Sequence, residues 1–236
     1  MFARTRQFLT VARLTAIESV RQPIFLLLAV SCVVLITLTP MMIMHNFGED
    51  GRLARDSGLA LHFVFGLFMA GYAASSSLSH EMQSGTASAV LCKPVSREIF
   101  FLAKFVGISA VLLVFSFCAG LATLMSERIS ERFVSIDGMS GWCTDWLTGR
   151  LLILSPCVSL VAAGIINYRK RRVFGSTAFG ILVISLMVVF LITGFFEVTG
   201  KFDPFDFRVN WRVVPASLLV SVALVMLCAI AMVLSS

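Results

Sequence analysis

The chain has 236 residues, of which 58% are hydrophobic and 14% are charged, and its formal net charge is +6. Soluble domains contain roughly 45–50% apolar and about 25% charged residues, so this composition excludes an ordinary soluble enzyme or binding domain. The apolar residues form runs long enough to cross a bilayer, and no hydrophilic stretch is long enough for a second domain. We therefore predict an all-α, polytopic membrane protein with a single transmembrane domain over residues 1–236. Membrane topology explains the basic excess better than nucleic-acid binding does.

The first twenty residues are amphipathic. Phe8, Val11, Leu14 and Ile17 recur three apart, with arginines at other positions. This pattern predicts a helix over residues 2–20 that lies in the cytoplasmic membrane interface, with a frayed tail as the alternative. The arginines, and the lack of an A-x-A site after a short apolar core, argue against a cleavable signal peptide.

Six apolar segments follow and predict six spans. They run over about residues 23–44, 58–77, 98–125, 151–166, 173–196 and 213–234. The second is rich in small residues, which allow helices to approach closely in lipid. The fourth is the shortest, and it follows a charged loop in which Trp142 and Trp146 are spaced to share one interfacial face.

The charges flanking these spans predict their orientation. With the N-terminus inside, basic residues outnumber acidic ones on the inner side, and acidic residues outnumber basic ones in the outer loops. The cluster Arg169–Arg172 then faces the cytoplasm, as the positive-inside rule requires. Both termini are therefore expected in the cytoplasm.

The sequence carries no recognisable catalytic or metal-binding pattern. His80 and Glu81 begin like a zinc-protease motif, but Ser84 occupies the position of the second histidine. No carboxylate lies deep in a predicted span, which removes the usual proton relay or ion site. His62, near the outer end of the second span, is interpreted as a satisfied interfacial histidine, with a ligand contact as the alternative. We expect no enzyme activity, no metal and no cofactor.

The six cysteines form no disulfide framework. Four lie in apolar runs as packing residues, and Cys92 falls in a predicted cytoplasmic loop. Cys143 is the only cysteine predicted to lie in an outer loop, where it is either a free thiol or paired between chains.

The connection between the second and third spans has unusually ordered local chemistry. Gly85 can end one helix, Thr86 can cap a short helix over residues 87–92, and Pro94 stops it. Ser96 can then cap the third span. This pattern predicts either a well-capped connection or a short rigid helix that receives a push from a soluble partner.

The same stretch resembles the signature region of ABC-2-type transporter permeases. In that family an acidic residue, a Gly-Thr pair, a leucine, a Lys-Pro pair and an arginine precede a lysine and a glycine inside the third span. The matching positions here are Glu81, Gly85, Thr86, Leu91, Lys93, Pro94, Arg97, Lys104 and Gly107. The Arg21-Gln22-Pro23 start of the first span is also similar to the family.

The resemblance implies a permease subunit in the cell (inner or plasma) membrane, paired with a second permease as a homo- or heterodimer and with cytoplasmic ATPase subunits. Because the chain lacks a GxxxxGK[ST] motif, ATP would be bound by the partner. Export is the expected direction. The residues expected at the ATPase interface, as a coupling helix and its flanks, are Glu81, Gly85, Thr86, Leu91, Lys93, Pro94 and Arg97. Gly85 and Pro94 would set its shape, and Glu81 and Arg97 would make ionic contacts.

Two other functions remain as alternatives. One is a membrane assembly or maturation factor of the same fold that does not transport. The other, an intramembrane enzyme, lacks a catalytic constellation. The aromatic and small residues of the spans suit a hydrophobic cargo, but they suit lipid-facing and helix-packing surfaces better.

Overall fold

The computed structural model describes residues 2–42, 49–84, 97–130, 132–136, 139–196 and 210–235, with side chains for 5–42, 49–76, 99–130, 144–196 and 210–235. Within these ranges the chain is helical apart from one short hairpin. The elements are α1 (Phe2–Arg21), α2 (Pro23–Met42), α3 (Asp50–Ser84), α4 (Arg97–Ile129), β1 (Arg132–Ile136), β2 (Met139–Cys143), α5 (Trp146–Lys170), α6 (Phe174–Gly194) and α7 (Val213–Ser235).

Six of the described helices, α2 to α7, are long and apolar enough to cross a membrane. Their apolar segments are Pro23–Met42, Asp50–Ser76, Ile99–Ile129, Trp146–Lys170, Phe174–Gly194 and Val213–Ser235. A helix satisfies its backbone hydrogen bonds internally, which is what the bilayer core demands. The prediction of an all-α polytopic membrane protein is confirmed.

Helix α4 is the centre of the bundle. It contacts every other described helix, and 67% of its apolar segment is buried, against 22% for α7. Ile108, Leu112 and Phe115 are almost fully buried along it. The outer helices leave large apolar side chains exposed, such as Leu219 and Met226 on α7. Lipid tails solvate such surfaces, so this distribution suits a bundle surrounded by a bilayer.

Glycines bring the helices around α4 close together. A Cβ added at Gly58 would lie 2.8 Å from Thr123 Cγ2, and one at Gly120 would lie 3.4 Å from Ser217 Oγ. Small residues at helix contacts allow this close packing, as predicted for the second span.

The N-terminal segment forms the predicted helix, but it packs on a face other than its apolar one. Ala12, Thr15 and Ser19, spaced three and four apart, are buried against the bundle. Leu9 and Leu14 remain 65% exposed. A helix with small residues against protein and large apolar residues facing outward suits a position in the membrane interface.

The region around the fourth span differs from expectation. Helix α5 begins at Trp146 and ends at Lys170, longer at both ends than the predicted 151–166. Trp142 lies in β2, paired with Phe133, whereas Trp146 is the first residue of α5, so the two do not lie on one helix. Their shared interfacial face stays a prediction, since the side chain of Trp142 is outside the described part. Helix α3 likewise begins at Asp50, earlier than the predicted residue 58, with an acidic residue in its first turn, where the helix dipole favours it.

Candidate functional site

Helix α3 projects beyond its membrane-spanning part toward the predicted coupling segment. Helix α3 has 35 residues, so at 1.5 Å per residue it is roughly 52 Å long, well beyond the roughly 30 Å of a bilayer's hydrocarbon core. Its last residues, 77–84, are mostly polar in sequence. Glu81 lies on this extension, and Arg97 is the first residue of α4. The predicted site is therefore flanked by two helices that pack against each other.

Most of the predicted interface lies outside the described residues. This holds for Gly85, Thr86, Leu91, Lys93 and Pro94, and for the predicted short helix over 87–92. The side chains of Glu81 and Arg97 are likewise outside the described part. Their roles stay predictions.

Gly107, the last residue of the resemblance, lies where α1 crosses α4. A Cβ at this position would lie less than 3.0 Å from the carbonyl oxygen of Ala12 and 3.1 Å from Thr15 Cβ. Only glycine lets the two backbones approach this closely. One turn earlier, Lys104 is buried, with Nζ 5.1 Å from the centroid of the Phe100 ring, a cation–π distance.

The C-terminal end of α1 is held by two further helices. Gln22, directly after α1, donates from Nε2 to Ser76 Oγ of α3 over 3.4 Å. A Cβ at Gly175, in the first turn of α6, would lie 3.2 Å from the carbonyl oxygen of Arg21. We call these contacts of α1 with Ser76, Gly107 and Gly175 the N-terminal platform. The platform joins α3, α4 and α6 at the end of the bundle that carries the predicted coupling segment.

A buried polar cluster ties helices together at the opposite end. Arg128 Nε lies 2.8 Å from Asp145 Oδ2, and the two side chains are 5% and 2% exposed. Asp145 also accepts from Thr148 N at 3.0 Å and from Thr148 Oγ1 at 2.6 Å, which caps the start of α5. We call Glu127, Arg128, Asp145, Thr148 and Asn210 the polar cluster.

The polar cluster reaches two more helices. Arg128 Nη2 donates to the carbonyl oxygen of Phe196, just past the end of α6. Asn210 Nδ2, just before α7, donates to Glu127 Oε1 over 2.6 Å. The ends of α4, α5, α6 and α7 therefore meet in one hydrogen-bonded group.

The sequence predicts a charged loop between the third and fourth spans, and it gives no sign that Arg128 and Asp145 are buried together. The Asp145-x-x-Thr148 spacing resembles an N-cap and could have shown where α5 begins. Arg128 is seventeen residues away from Asp145, so no local pattern links the two.

A known protein family matches the helices that flank the predicted coupling segment. A family model described as ABC-2 family transporter protein matches residues 20–177, which include the first four spans and the predicted coupling segment. The chain belongs to the ABC-2 transporter family. Searches of curated proteins and of solved structures found no match. The permease resemblance read from Glu81–Gly107 is confirmed at the level of the family.

Within this permease, His62 differs from its interpretation as a satisfied interfacial residue. The side chain of His62, on α3, is fully buried, and its ring packs edge-on against the Phe115 ring of α4 with centroids 5.9 Å apart. Neither ring nitrogen has a hydrogen-bond partner among the described residues. Around it, no described group of three or more His, Cys, Asp or Glu side chains could hold a metal ion. The geometry assigns His62 to the packing of α3 against α4.

Proposed function

We propose that this ABC-2 permease is the membrane-spanning subunit of an exporter driven by a separate ATPase subunit. The observation that carries the proposal is the family match across the α3–α4 connection, combined with the length of α3, whose 35 residues are more than a bilayer core needs. The connection, with Glu81, Gly85, Thr86, Leu91, Lys93, Pro94 and Arg97, is the proposed docking surface for the ATPase. ATP binding and hydrolysis belong to that partner.

The helix contacts suggest how a push at this surface would spread. Force applied to the projecting end of α3 acts on a rigid helix that packs against α4 and α7. The N-terminal platform links the same end to α6 through Gly175. At the opposite end, the polar cluster holds α4, α5, α6 and α7 together. We infer that a push on α3 tilts these packed helices together as a rigid body, the type of movement used in alternating access.

The charge distribution supports the proposed orientation in the cell (inner or plasma) membrane. The exposed basic run Arg169–Arg172 lies at the end of the bundle that carries the N-terminal platform. Placing this end in the cytoplasm follows the positive-inside rule and puts the α3–α4 connection where an ATPase can reach it. A second permease subunit, identical or different, completes the proposed transporter.

Two native cysteines test this orientation. A chain that keeps Cys92 and carries Cys143→Ala should resist a membrane-impermeant maleimide in intact cells and react after permeabilisation. A chain that keeps Cys143 and carries Cys92→Ala should react from outside if its thiol is free. Labelling of Cys92 in intact cells would overturn the proposed docking surface.

Partner and transport are tested on the purified complex. The tagged chain, extracted in mild detergent, should retain a second chain with a P-loop, and the complex should hydrolyse ATP. Gly85→Val should insert normally but abolish ATPase coupling, whereas Gly180→Val, where no described atom lies within 4 Å of an added Cβ, should keep it. Recovery without any ATP-binding chain contradicts the proposal. Hydrolysis without movement of any cargo favours a maturation factor.

A further inference from the structure

An apolar groove opens between α2, α5 and α6 beside the N-terminal platform. Its volume is about 540 Å³, within the roughly 300–1,000 Å³ typical of ligand sites. Its walls include Leu27, Val30, Leu160 and Phe174, and Arg21 lies at its edge. The three helices that form it are all long and apolar enough to span a membrane.

Basic side chains surround the same end of the groove. Arg21 lines it, and the run Arg169–Arg172 directly precedes Val173, which also lines it. These five side chains are exposed, and within the described part of the chain no ion pair joins any of them to a carboxylate. The groove thus combines an apolar wall with a concentrated positive charge.

The backbone holds this charge in place. Arg171 caps the end of α5 in the left-handed conformation (φ 50°), and its N–H donates to the carbonyl oxygen of Asn167 over 2.9 Å. Helix α6 begins three residues later, at Phe174, and packs along α5. The basic run therefore consists of the last turn of α5 and the short turn that follows it, and it is not part of a long loop.

We propose that this groove binds an anionic phospholipid of the adjacent leaflet. An acyl chain lies along Leu27, Val30 and Leu160, and the headgroup phosphate is bound by Arg21 and Arg172. Basic pockets between spanning helices on the cytoplasmic side suit anionic headgroups, because each Lys or Arg near the surface favours negative charge. At about 1 kcal/mol per charge, the two arginines give roughly a 25-fold preference for anionic over zwitterionic lipid.

A second copy of this chain is a poorer occupant. In a two-fold symmetric dimer the same patch lies on both subunits. Contact through the groove would then bring one basic run close to the other, and the like charges oppose this. A phospholipid instead brings the opposite charge and a chain that fits the apolar wall.

The inference is tested with the full-length permease in nanodiscs or mild detergent, by native mass spectrometry and phospholipid extraction. The probes are phosphatidylglycerol and phosphatidylcholine at equal concentration. Wild type should retain phosphatidylglycerol with roughly the 25-fold preference derived above. Arg21→Gln with Arg172→Gln should abolish this preference. Val30→Trp, which fills the groove and keeps every charge, should exclude the lipid.

The matched control is Arg150→Gln with Arg212→Gln, which removes two exposed charges near the polar cluster and should leave lipid retention unchanged. Equal retention of both lipids by wild type would overturn the inference, as would an unchanged preference in the doubly neutralised variant. Displacement of the lipid by inorganic phosphate alone would show a simple anion site. A change of oligomeric state in Val30→Trp with lipid retention intact would assign the groove to a second copy. The readouts need no ATPase, so failure here leaves the proposed transport function untouched.

Discussion

Replacing Gly107 with alanine tests the N-terminal platform directly. The added methyl group would lie less than 3.0 Å from the carbonyl oxygen of Ala12, closer than real Cβ atoms approach. Because that atom belongs to the backbone of α1, no change of rotamer relieves the overlap, and the whole helix must move away from α4. Overpacking of this kind costs about 1–3 kcal/mol. For a chain of this size each kcal/mol corresponds to roughly 2–4 °C in melting temperature.

Other glycines of the same protein supply a graded control series. No described atom lies within 4 Å of a Cβ added at Gly71 or Gly180, so alanine there should keep or raise stability by about 0.5–1 kcal/mol through reduced chain entropy. A Cβ added at Gly66 meets side-chain atoms of Leu224 and no backbone atom, so the cost of Gly66→Ala should fall between these extremes.

The measurement is the fraction of purified protein that stays folded and monodisperse in detergent after heating, followed by size-exclusion chromatography. The expected order of stability is Gly71→Ala, then Gly66→Ala, then Gly107→Ala. If Gly107→Ala and Gly71→Ala have the same melting temperature, α1 does not contact α4 through its backbone at this position. The description of the N-terminal platform would then be wrong. If Gly107→Ala is less stable but α1 stays folded, its ATPase coupling should also be weaker. The N-terminal platform joins α6 to the end of α3 on which the ATPase is proposed to act.

Three further sets of variants probe the polar cluster, the buried histidine and the left-handed cap. Asp145→Ala leaves Arg128 charged and buried, so it should lower the stability of the folded protein by about 3–5 kcal/mol. The double variant Asp145→Leu with Arg128→Met removes both charges and should lower it less. Similar melting temperatures for the two variants would contradict a buried ion pair. His62→Leu removes two ring nitrogens without described partners and should keep or raise the melting temperature, since an unsatisfied buried polar group costs about 1–3 kcal/mol; a clear drop would show that His62 has a bonded partner. Arg171→Gly should stabilise relative to Arg171→Ala by about 1 kcal/mol, because only glycine adopts positive φ without strain; equal stability of the two variants would argue against the left-handed cap.

Some of this permease could be predicted from its sequence because the responsible physics is local. A run of about twenty apolar residues must form a helix in lipid, so run length predicts the number of spans. The Glu81–Gly107 motif indicated the family because its polar positions are fixed within a short stretch. On either side of the predicted docking surface, the structure shows that α3 ends at Ser84 and that α4 begins at Arg97. The roles of Gly85 to Pro94 stay predictions.

Other features depended on how the helices pack. Arg128 and Asp145 looked like solvated loop residues because each has polar neighbours along the chain, and only the meeting of α4 with α5 buries them together. His62 looked interfacial by its place in an apolar run, but the rotation of α3 points it at Phe115. The need for glycine at position 107 comes from Ala12 on another helix. The length and polarity of a segment determine whether it spans the membrane, whereas contacts between segments depend on their rotation and depth, which no local pattern specifies.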